Sequence, residues 1–389
     1  MNVPKLRFKD FKDEWTKYKL NDFLDLLTDY DANGSFADMA NNVKTYDNEN
    51  YAWYVRSTDL ENNSPLNKVK YTDKKSYDFL RKTALYGDEV LMAKRGNIGN
   101  VYFFKPKTKY ATLGPNCYLL KTNNKINNYF LYSYFKSTNG YKKLNRLNAS
   151  STLGALYKDD VKNINLTFPE INEQNKIAKT LELLDKKIEL QSKKIEDLKL
   201  FKKSLILDKK NNVNNWYEYK ISDILNITRG IVISKNDINA NMDDEHIYPV
   251  YSSQTSNDGI LGYDDNYDFD GKYLTWTTDG ANAGKVFYRN GKFRCTNVCG
   301  VLYNKNNEFV NILTAELLNI ETPRHVSYVG NPKLMNNVMA DIKVKLPPKS
   351  EERVISGFLT IINNKIFYEN LKLSKIIKLK KGLMQSMFV

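Results

Sequence analysis

Few side chains in this 389-residue chain could support metal or nucleophilic chemistry, since it has only two histidines and three cysteines. Neither His246 nor His325 has a metal-ligating partner one helical turn away, and Cys295 and Cys299 lack the second ligand pair that a zinc site needs. Glycine-rich loops of the kinds that bind nucleotides are also absent from the sequence. The sequence therefore predicts no catalytic residue, no metal site and no cofactor held by this chain.

One short segment comes near a methylation motif but is incomplete. Residues 331–334 read Asn-Pro-Lys-Leu, which lacks the second proline and the aromatic residue that hold a flipped base in amino-methylases. No glycine-rich segment for a methyl donor precedes it. We expect an ordinary proline turn at this position.

A basic loop that contains glycines is the best candidate for contacts to phosphate. It comprises Lys94, Arg95, Gly96, Asn97 and Gly99. Glycines allow backbone N–H groups to approach a phosphate, and the cations neutralise it. The turn of a β-hairpin is the alternative interpretation, and both can hold. Further candidates for contacts to a nucleic-acid backbone are Lys107, Lys109, Lys142, Lys143 and Arg146.

Polar side chains on the predicted loops are candidates for reading base edges, because they can donate to or accept from groups in the grooves. In the first half of the chain these are Arg56, Ser57, Asp59, Asn148, Ser150, Ser151 and Thr152. In the second half they are Tyr251, Ser252, Ser253, Gln254, Thr277, Thr278, Asn282, Arg324 and His325. The alternative for each is an ordinary turn or surface residue, and this applies most to His325.

The charge of the chain suits a polyanionic partner, although it is unevenly distributed. The 59 Lys and Arg exceed the 45 Asp and Glu, and a hydrophobic content of 41% is enough for packed cores. Residues 1–165 carry 27 basic and 18 acidic side chains, whereas residues 207–347 carry 15 and 17. A nucleic acid must therefore meet a local basic patch in the second half.

The elements that position these residues occur twice. The segment that begins at Phe168 matches the one that begins at Leu346, and the offset of 178 holds without a gap for about three dozen residues. Upstream, residues 87–101 correspond to 271–286 with one inserted residue. The order is domain, connector, domain, connector, and each domain reads as a small mixed α/β fold. Strands are predicted at 89–93, 101–104, 117–120, 273–277, 286–288 and 298–303.

Both connectors have the heptad spacing of long helices that pack against another helix. The seam of the first consists of Ile177, Leu181, Leu184, Ile188, Gln191, Ile195, Leu198 and Leu205. The seam of the second consists of Ile355, Leu359, Ile362, Ile366, Glu369, Leu373, Ile376 and Leu383. A helix of ~35 residues is ~50 Å long, more than a small domain needs, so each seam must face another helix.

The polar positions in the two seams also match. Gln191 is equivalent to Glu369 under the offset, and Lys202 is equivalent to Lys380. If the helices pack antiparallel around a pseudo-twofold axis, Gln191 and Glu369 can face each other near mid-helix and fix the register. The alternative is that both lie at a solvated bend. Two unlike domains on such a spacer suit DNA, since they can read two different half-sites one duplex turn, ~34–36 Å, apart.

With these features the chain resembles the specificity subunits of type I restriction-modification enzymes over essentially its whole length. The motifs that carry the resemblance are the opening 4–8 and 14–22, the strand and loop at 87–99, the helix entry at 169–177, and their repetition. Each motif is weak alone, but their order and the tandem duplication make the resemblance specific. The chain departs from this pattern at one position: in the second copy, Asp279 is the equivalent of Arg95 in the first. This places an acidic side chain where a phosphate contact is expected.

The resemblance implies a mixed α/β (α+β) fold with a pseudo-twofold arrangement. Its parts are a first target-recognition domain at 1–165, a first spacer helix at 166–208, a second target-recognition domain at 209–343, and a second spacer helix at 344–389. The helices would form an antiparallel coiled coil. The chain would read an asymmetric bipartite DNA target without being an enzyme. Two methyltransferase subunits with S-adenosylmethionine would then methylate adenine, and restriction subunits with ATP and Mg²⁺ would cut.

The same sequence argues against a membrane protein. No stretch reaches the ~18 apolar residues of a membrane span. The N-terminal segment also lacks the apolar core of a signal peptide. With three unpaired cysteines, we expect a cytoplasmic location. Two other functions stay open at this point: a scaffold that joins protein partners through its helices, and an enzyme whose site is not recognisable in the sequence.

Overall fold

The computed structural model describes residues 3–96, 98–149, 155–211, 215–304 and 306–389. These residues form two compact units. Unit 1 comprises residues 1–191 and 372–389, and unit 2 comprises residues 192–371. The division falls within the two long helices, so each unit contains a segment of both. No helix among the described residues is long and apolar enough to cross a membrane.

Unit 1 is built mainly from short strands. They are β1 (Thr16–Lys19), β2 (Leu24–Asp29), β3 (Thr45–Tyr46), β4 (Ala52–Val55), β5 (Lys70–Thr72), β6 (Ala84–Leu85), β7 (Val90–Ala93), β8 (Val101–Phe103), β9 (Ala111–Leu113), β10 (Cys117–Thr122) and β11 (Asn165–Phe168). The helices are α1 (Phe36–Asn42), α2 (Ser57–Glu61), α3 (Lys74–Phe79), α4 (Asn128–Lys136), α5 (Thr138–Ala149), α6 (Lys158–Lys162) and the long α7 (Ile171–Asn211). Short 3₁₀ turns lie at Leu20–Phe23, Tyr30–Asn33, Leu66–Lys68 and Arg81–Thr83.

Unit 2 has fewer but longer strands. They are β12 (Tyr217–Lys220), β13 (Asn226–Arg229), β14 (Tyr248–Tyr251), β15 (Ile260–Asp264), β16 (Phe269–Thr277), β17 (Val286–Cys295), β18 (Cys299–Tyr303) and β19 (Lys343–Leu346). The helices are α8 (Ile221–Ile224), α9 (Ile312–Glu321), α10 (Asn336–Asp341) and the long α11 (Lys349–Ser386). The 3₁₀ turns are Lys235–Asp237, Ser256–Gly259 and Thr322–Arg324.

A four-stranded antiparallel sheet is common to both units. Its order is β2-β10-β7-β8 in unit 1, and the strands β13-β18-β16-β17 have the same order and the same orientations in unit 2. A two-stranded antiparallel pair accompanies each sheet, β1-β11 in one and β12-β19 in the other. The duplication expected from the sequence is therefore a duplication of sheet topology, and all six predicted strands are present.

The units differ in what surrounds this common sheet. Unit 1 adds a separate five-stranded sheet of order β3-β5-β4-β9-β6. Unit 2 instead extends its own sheet, because β14 pairs in parallel with β17 and carries β15 outside it. The same scaffold thus bears two unlike additions.

One helix packs on the common sheet of each unit and starts in the same way. The Asn127 side chain accepts a 2.9 Å hydrogen bond from the backbone N–H of Phe130 at the start of α4. At the start of α9, Asn311 does the same for Thr314, also at 2.9 Å. Asparagine is a favoured residue at this position because its side chain satisfies an N–H that has no partner in the first turn. The core below includes Trp15 in unit 1 and Trp216 in unit 2.

The two long helices run antiparallel, which can be read within unit 2 alone. There the ammonium of Lys194 lies 2.9 Å from Oε1 of Glu369, and that of Lys202 lies 3.1 Å from Oδ1 of Asn363. Residue numbers rise along one helix as they fall along the other. The predicted mixed α/β fold with two long antiparallel helices is confirmed.

The seam residues named above are all buried or half-buried in the structure. Glu369 is only 1% exposed, and Lys194 and Lys365 both lie within ion-pair distance of its carboxylate. A solvated bend therefore does not describe this position. The buried charge is instead compensated from both helices, which a polar residue inside a helix seam requires.

Candidate nucleic-acid interface

The predicted basic loop lies at one edge of the four-stranded sheet in unit 1. Strands β7 and β8 form the expected hairpin around it. Gly96 and Gly99 have φ values of +77° and +87°, which side chains other than glycine rarely adopt. Arg95 is exposed and forms an isolated β-bridge with Ala155. Asn97 lies outside the described residues, so the loop is placed through its neighbours.

Lys94 is turned inward, away from any phosphate. It is 7% exposed, and its ammonium lies 2.7 Å from a carboxylate oxygen of both Asp29 and Asp31. Lys158 reaches the other oxygen of Asp29 at 2.9 Å. Burial alone would raise the pKa of Asp29, but hydrogen bonds from the two lysines outweigh it and hold that pKa below its usual value. The predicted phosphate contact of Lys94 does not fit this placement, since its charge already holds the loop base together.

Two further basic candidates are also occupied by contacts within unit 1. The ammonium of Lys107 lies 2.8 Å from Oδ1 of Asn63, and that of Lys143 lies 2.6 Å from the carbonyl oxygen of Asn165. Burial and the charge of Arg146 lower the pKa of Lys143. Four cations remain exposed and have no carboxylate within ion-pair distance among the described residues: Arg95, Lys109, Lys142 and Arg146.

Three of the predicted base readers in unit 1 are arranged around the start of α2. The guanidinium of Arg56 makes a two-pronged contact to Asp59, at 3.0 and 2.6 Å. Asp59 is 2% exposed and cannot reach a base edge, while Ser57 is half-buried at the first residue of the helix. Asn148 belongs to α5 and not to a loop. The side chain of Asn148 and residues Ser150, Ser151 and Thr152 lie outside the described part of the chain.

The predicted base readers of unit 2 fall into a buried group and an exposed group. Thr277 and Thr278 are each 1% exposed, and their hydroxyls donate to the carbonyl of Asn282 and to Oδ2 of Asp279. They support the loop and do not fit the prediction that they read bases. Exposed side chains in this set are Asn282, Arg324 and His325.

The half-buried residues of the set form a turn over β17. The guanidinium carbon of Arg289 lies 3.6 Å from the ring centroid of Tyr251, a close cation–π contact. Ser252 accepts a 2.9 Å hydrogen bond from the Thr296 hydroxyl, and the Gln254 amide donates to the carbonyl of Ile260. Ser253 lies half-buried between them. These contacts fix the backbone of the turn, so a ligand meets a preformed surface.

Asp279 occupies the position of Arg95 but is not an isolated acid. The Lys333 ammonium lies 3.8 Å from Oδ1 of Asp279, and the two residues form an isolated antiparallel bridge. Lys333 ends a small hairpin in which it exchanges two 2.9 Å backbone hydrogen bonds with Ser327. The expected proline turn is thus part of a hairpin that places the ammonium of Lys333 beside the loop at Asp279. Lys333 is not among the residues predicted to contact DNA, although its neighbour Pro332 indicates a turn in the sequence.

The described residues contain no group of three or more His, Cys, Asp and Glu side chains that could hold a metal ion. Cys117 and Cys295 are buried, and burial raises the pKa of Cys117 to about 12 and that of Cys295 well above its usual value. These two thiols are therefore protonated at neutral pH and are poor nucleophiles. The side chains that the two sheet edges present to solvent are mainly cations and amides, together with the carboxylates of Asp31 and Asp279. Such groups can bind phosphates and base edges.

Comparison with known proteins assigns a family to this arrangement. The family described as Type I restriction modification DNA specificity domain matches twice, at residues 12–200 and 214–379. A putative type I specificity subunit of Mycoplasma pneumoniae, S.MpnORF615P, is 40% identical over 205 residues, which are 50% of this chain and 80% of that protein. The type I restriction enzyme MpnII specificity subunit of the same organism is 44% identical over 142 residues, 36% of this chain and 42% of that protein.

A solved structure shares the fold over the full length. The S subunit of a type I restriction-modification system from M. genitalium aligns with a TM-score of 0.67 at 16% identity, covering 100% of this chain and 99% of that one. Both halves of the chain thus match one family, in the order that the duplicated sheets require. The chain belongs to the family of type I restriction-modification specificity subunits.

Proposed function

We propose that this chain recognises an asymmetric bipartite DNA sequence and directs adenine methylation and restriction by partner subunits, without catalysing either reaction. One observation carries the proposal: the same sheet edge is built twice on the same backbone hydrogen bonds but presents different side chains. A scaffold that bound one kind of partner twice would have no reason to diverge at this edge.

The strand registers define which residues of the two edges are equivalent. Cys117 lies opposite Ala93 in one sheet, and Cys299 lies opposite Thr277 in the other. Beyond these pairs the backbone N–H of Leu156 bonds the carbonyl of Lys94, and that of Leu334 bonds the carbonyl of Thr278. The equivalent pairs are Asp29 with Arg229, Lys94 with Thr278, Arg95 with Asp279, Ala155 with Lys333, and Lys158 with Asn336. All five pairs differ in charge, so the two edges would favour different DNA contacts.

Under this proposal, methylation and DNA cleavage are catalysed by other subunits. S-adenosylmethionine would be bound by two methyltransferase subunits, and ATP with Mg²⁺ by restriction subunits. This chain would contribute contacts to duplex DNA in the cytoplasm. Exposed cations such as Arg95 would contact phosphates, and exposed polar side chains such as Asn282 would contact base edges.

The long helices carry apolar side chains that suit docking of the methyltransferase subunits. Along α11 in unit 2, Val354, Phe358, Ile361, Phe367 and Tyr368 are each between 58 and 66% exposed. The segments of α7 add Leu183 and Leu190 in unit 1, and Leu200 and Phe201 in unit 2. Monomeric proteins rarely leave such a series uncovered, since it favours association. We assign these faces to the methyltransferase partners.

Methylation mapping tests the proposal. A host that expresses the chain with its methyltransferase should carry methylated adenines at a single sequence made of two unlike halves. Exchange of residues 209–343 for those of another family member should change one half only. A change in both halves would contradict independent recognition, and adenine methylation without a shared sequence would contradict the proposed function.

A second experiment tests the dependence on the partner. The isolated chain should bind DNA weakly in a gel-shift assay and gain sequence-specific affinity when the methyltransferase subunit is added. Equal specific binding with and without that subunit would contradict assembly through the apolar helix faces. Phe358→Ser is the matched variant, since it removes one exposed apolar side chain without touching the seam.

A further inference from the structure

A cleft in unit 2 gathers lysines that the DNA-reading edge does not use. It has a volume of about 820 Å³ and is lined by parts of α7, α9, α11 and β17. Its charged side chains are Lys199, Lys202, Lys203, Lys285, Glu316 and Asp258. The size is that of sites that hold a nucleotide-sized ligand.

The carboxylates in the cleft are already paired, whereas most of the lysines are not. Glu316 lies 2.8 Å from the ammonium of Lys202, and Asp258 lies 2.8 Å from Nη1 of Arg289. Within the described part of the chain, no carboxylate comes within ion-pair distance of Lys199, Lys203 or Lys285. Three of the four lysines that line the cleft thus make no ion pair among these residues, and only longer-range negative charges, those of Glu316 and Asp258, act on Lys285.

The pKa of Lys285 is consistent with the absence of an ion pair at this side chain. Removal from water is the main cause that lowers the pKa of Lys285, and the nearby charge of Lys202 lowers it further, against the opposing effects of Glu316 and Asp258. A lysine in this position is stabilised by any anion that enters the cleft, since the anion offsets both causes.

The duplicated chain supplies an internal comparison. The cleft in unit 1 beside the equivalent helix segment is lined by three lysines, Lys105, Lys179 and Lys186, and by three carboxylates, Glu182, Asp185 and Glu189. Lys380, the equivalent of Lys202, lies outside this lining and pairs with Asp185. Under the offset of 178, Glu182, Asp185 and Glu189 become Thr360, Asn363 and Phe367. The second copy therefore carries none of the three acids, and Lys179 and Lys186 become Gly357 and Asn364. Its own cleft obtains four lysines from other positions and has two acids.

One contact recurs at equivalent positions in the two clefts. In unit 1 the Lys380 ammonium pairs with the carboxylate of Asp185. In unit 2 the equivalent Lys202 lies 3.1 Å from the amide oxygen of Asn363. A neutral amide thus occupies the place of a charged partner. At this position the two clefts therefore differ in the charge of the lysine's partner.

We propose that the lysine cleft of unit 2 binds phosphate groups, supplied either by the DNA backbone or by a free phosphorylated small molecule. Lys203 and Lys285 contact the phosphates, and Lys199 adds to the positive field. The DNA source rests on the proposed function, whereas the phosphate site itself does not. The cleft also supplies a local basic patch beside residues 207–347, whose acidic balance requires such a patch for DNA binding.

Titration of the full chain with tripolyphosphate, followed by isothermal calorimetry, tests the site directly. We expect one binding event that the double variant K203Q/K285Q weakens at least tenfold. The variant K179Q/K186Q, which changes the balanced cleft of unit 1, should bind like the wild type. No binding by the wild type, or equal binding by all three proteins, would overturn the proposal.

A second variant keeps the test valid if the double variant fails to fold. Asn363→Asp restores the carboxylate of the first copy beside Lys202 and removes no lysine. We expect tripolyphosphate binding to weaken about threefold to tenfold, with an unchanged melting temperature. Full affinity in a folded N363D protein would contradict a site that depends on uncompensated charge.

The source of the phosphate is decided by DNA binding of the chain assembled with its methyltransferase. Removal of a cation that neutralises a DNA phosphate should reduce the slope of log K against log salt concentration by ~0.9. A smaller slope for K203Q/K285Q assigns the cleft to the DNA backbone. An unchanged slope with loss of tripolyphosphate binding assigns it to a free small molecule. Methylation mapping judges the proposed function separately, because sequence reading can fail while tripolyphosphate still binds.

Discussion

The edges of the two common sheets share a backbone but are stabilised differently. In unit 1 the loop base rests on an ion network in which the buried Asp29 and Lys94 are joined by the half-exposed Lys158. In unit 2 the equivalent base rests on buried threonine hydroxyls, and its ion pair, Asp279 with Lys333, lies nearer the surface. Backbone hydrogen bonds therefore define the scaffold in both units. The side chains at the loop base can differ in charge between the units without changing that scaffold.

The largest difference between the edges should appear when the buried lysine is removed. Lys94→Ala leaves the 6% exposed carboxylate of Asp29 with only the half-exposed Lys158. Loss of one partner from a buried ion pair costs about 3–5 kcal/mol. At the equivalent position, Thr278→Val removes one hydroxyl hydrogen bond and should cost about 1 kcal/mol. Urea denaturation measures both free energies of unfolding. Equal losses would contradict the comparison.

The same network predicts how acid affects unit 1. Because the pKa of Asp29 is lowered in the folded state, its carboxylate stabilises the fold above about pH 4, the ordinary value for Asp. That stabilisation is lost as the pH falls through the lower folded value. Urea denaturation between pH 2 and 6 should show this loss. In Asp29→Asn the free energy of unfolding should be lower at pH 6 than in the wild type and should change less between pH 2 and 6. An unchanged pH dependence in this variant would contradict the assignment to Asp29.

The exposed Arg95 and the half-buried Asp279 should have smaller and opposite effects on DNA binding. Arg95→Ala removes one exposed cation, so we expect about a tenfold loss of affinity and a salt slope smaller by ~0.9. Asp279→Asn removes an acid from the equivalent position and should raise affinity two- to threefold. Fluorescence anisotropy of the assembled enzyme with its target measures both. Effects of the same sign would show that the two loops do not face DNA alike.

Much of the scaffold could be predicted from the sequence because its signals are local or periodic. The hairpin around Gly96 is visible from the glycines between two short apolar segments, and the helix seams are visible from their heptad spacing. The role of Lys94 was not visible, because its partner Asp29 lies 65 residues away and any lysine beside a glycine loop looks available. The burial of Thr277 and Thr278 could not be predicted for a related reason. The residue type does not indicate whether the end of a strand is exposed to solvent.

The clefts could not be predicted at all from local patterns. The lysine cleft of unit 2 is formed by segments that are distant in the sequence, such as 199–203, 285–288 and 363–370. No one of these segments is unusual alone. The informative signal was the comparison of the copies, since the acids at 182, 185 and 189 disappear at an offset of 178. Divergence inside a duplication locates a functional difference better than either copy does alone.

The smallest expected effect concerns two equivalent positions near the starts of the long helices, Gln174 in α7 and Glu352 in α11. Gln174 is buried, and its side-chain amide donates 2.9 Å to the carbonyl oxygen of Pro169 and 3.2 Å to that of Lys125. Its equivalent in unit 2 is Glu352, which is only half-buried. Burial raises the pKa of Glu352, partly offset by Lys349 and Arg353.

Glu352→Gln should therefore stabilise the chain slightly at neutral pH, by about 0.5 kcal/mol or less, because solvent screens a half-exposed charge. A raised folded pKa means that the wild type loses this stability as the pH rises above about 4, the ordinary value for Glu. The gain from the substitution should appear at pH 7 and vanish at about pH 3.5, where the wild-type carboxyl is protonated, as measured by urea denaturation. Gln174→Glu is the reciprocal variant and should destabilise at pH 7, since it places a charge where two carbonyl oxygens accept. A gain for E352Q that is equal at both pH values would assign the effect to packing, and the difference between the two helix entries would then not be one of charge.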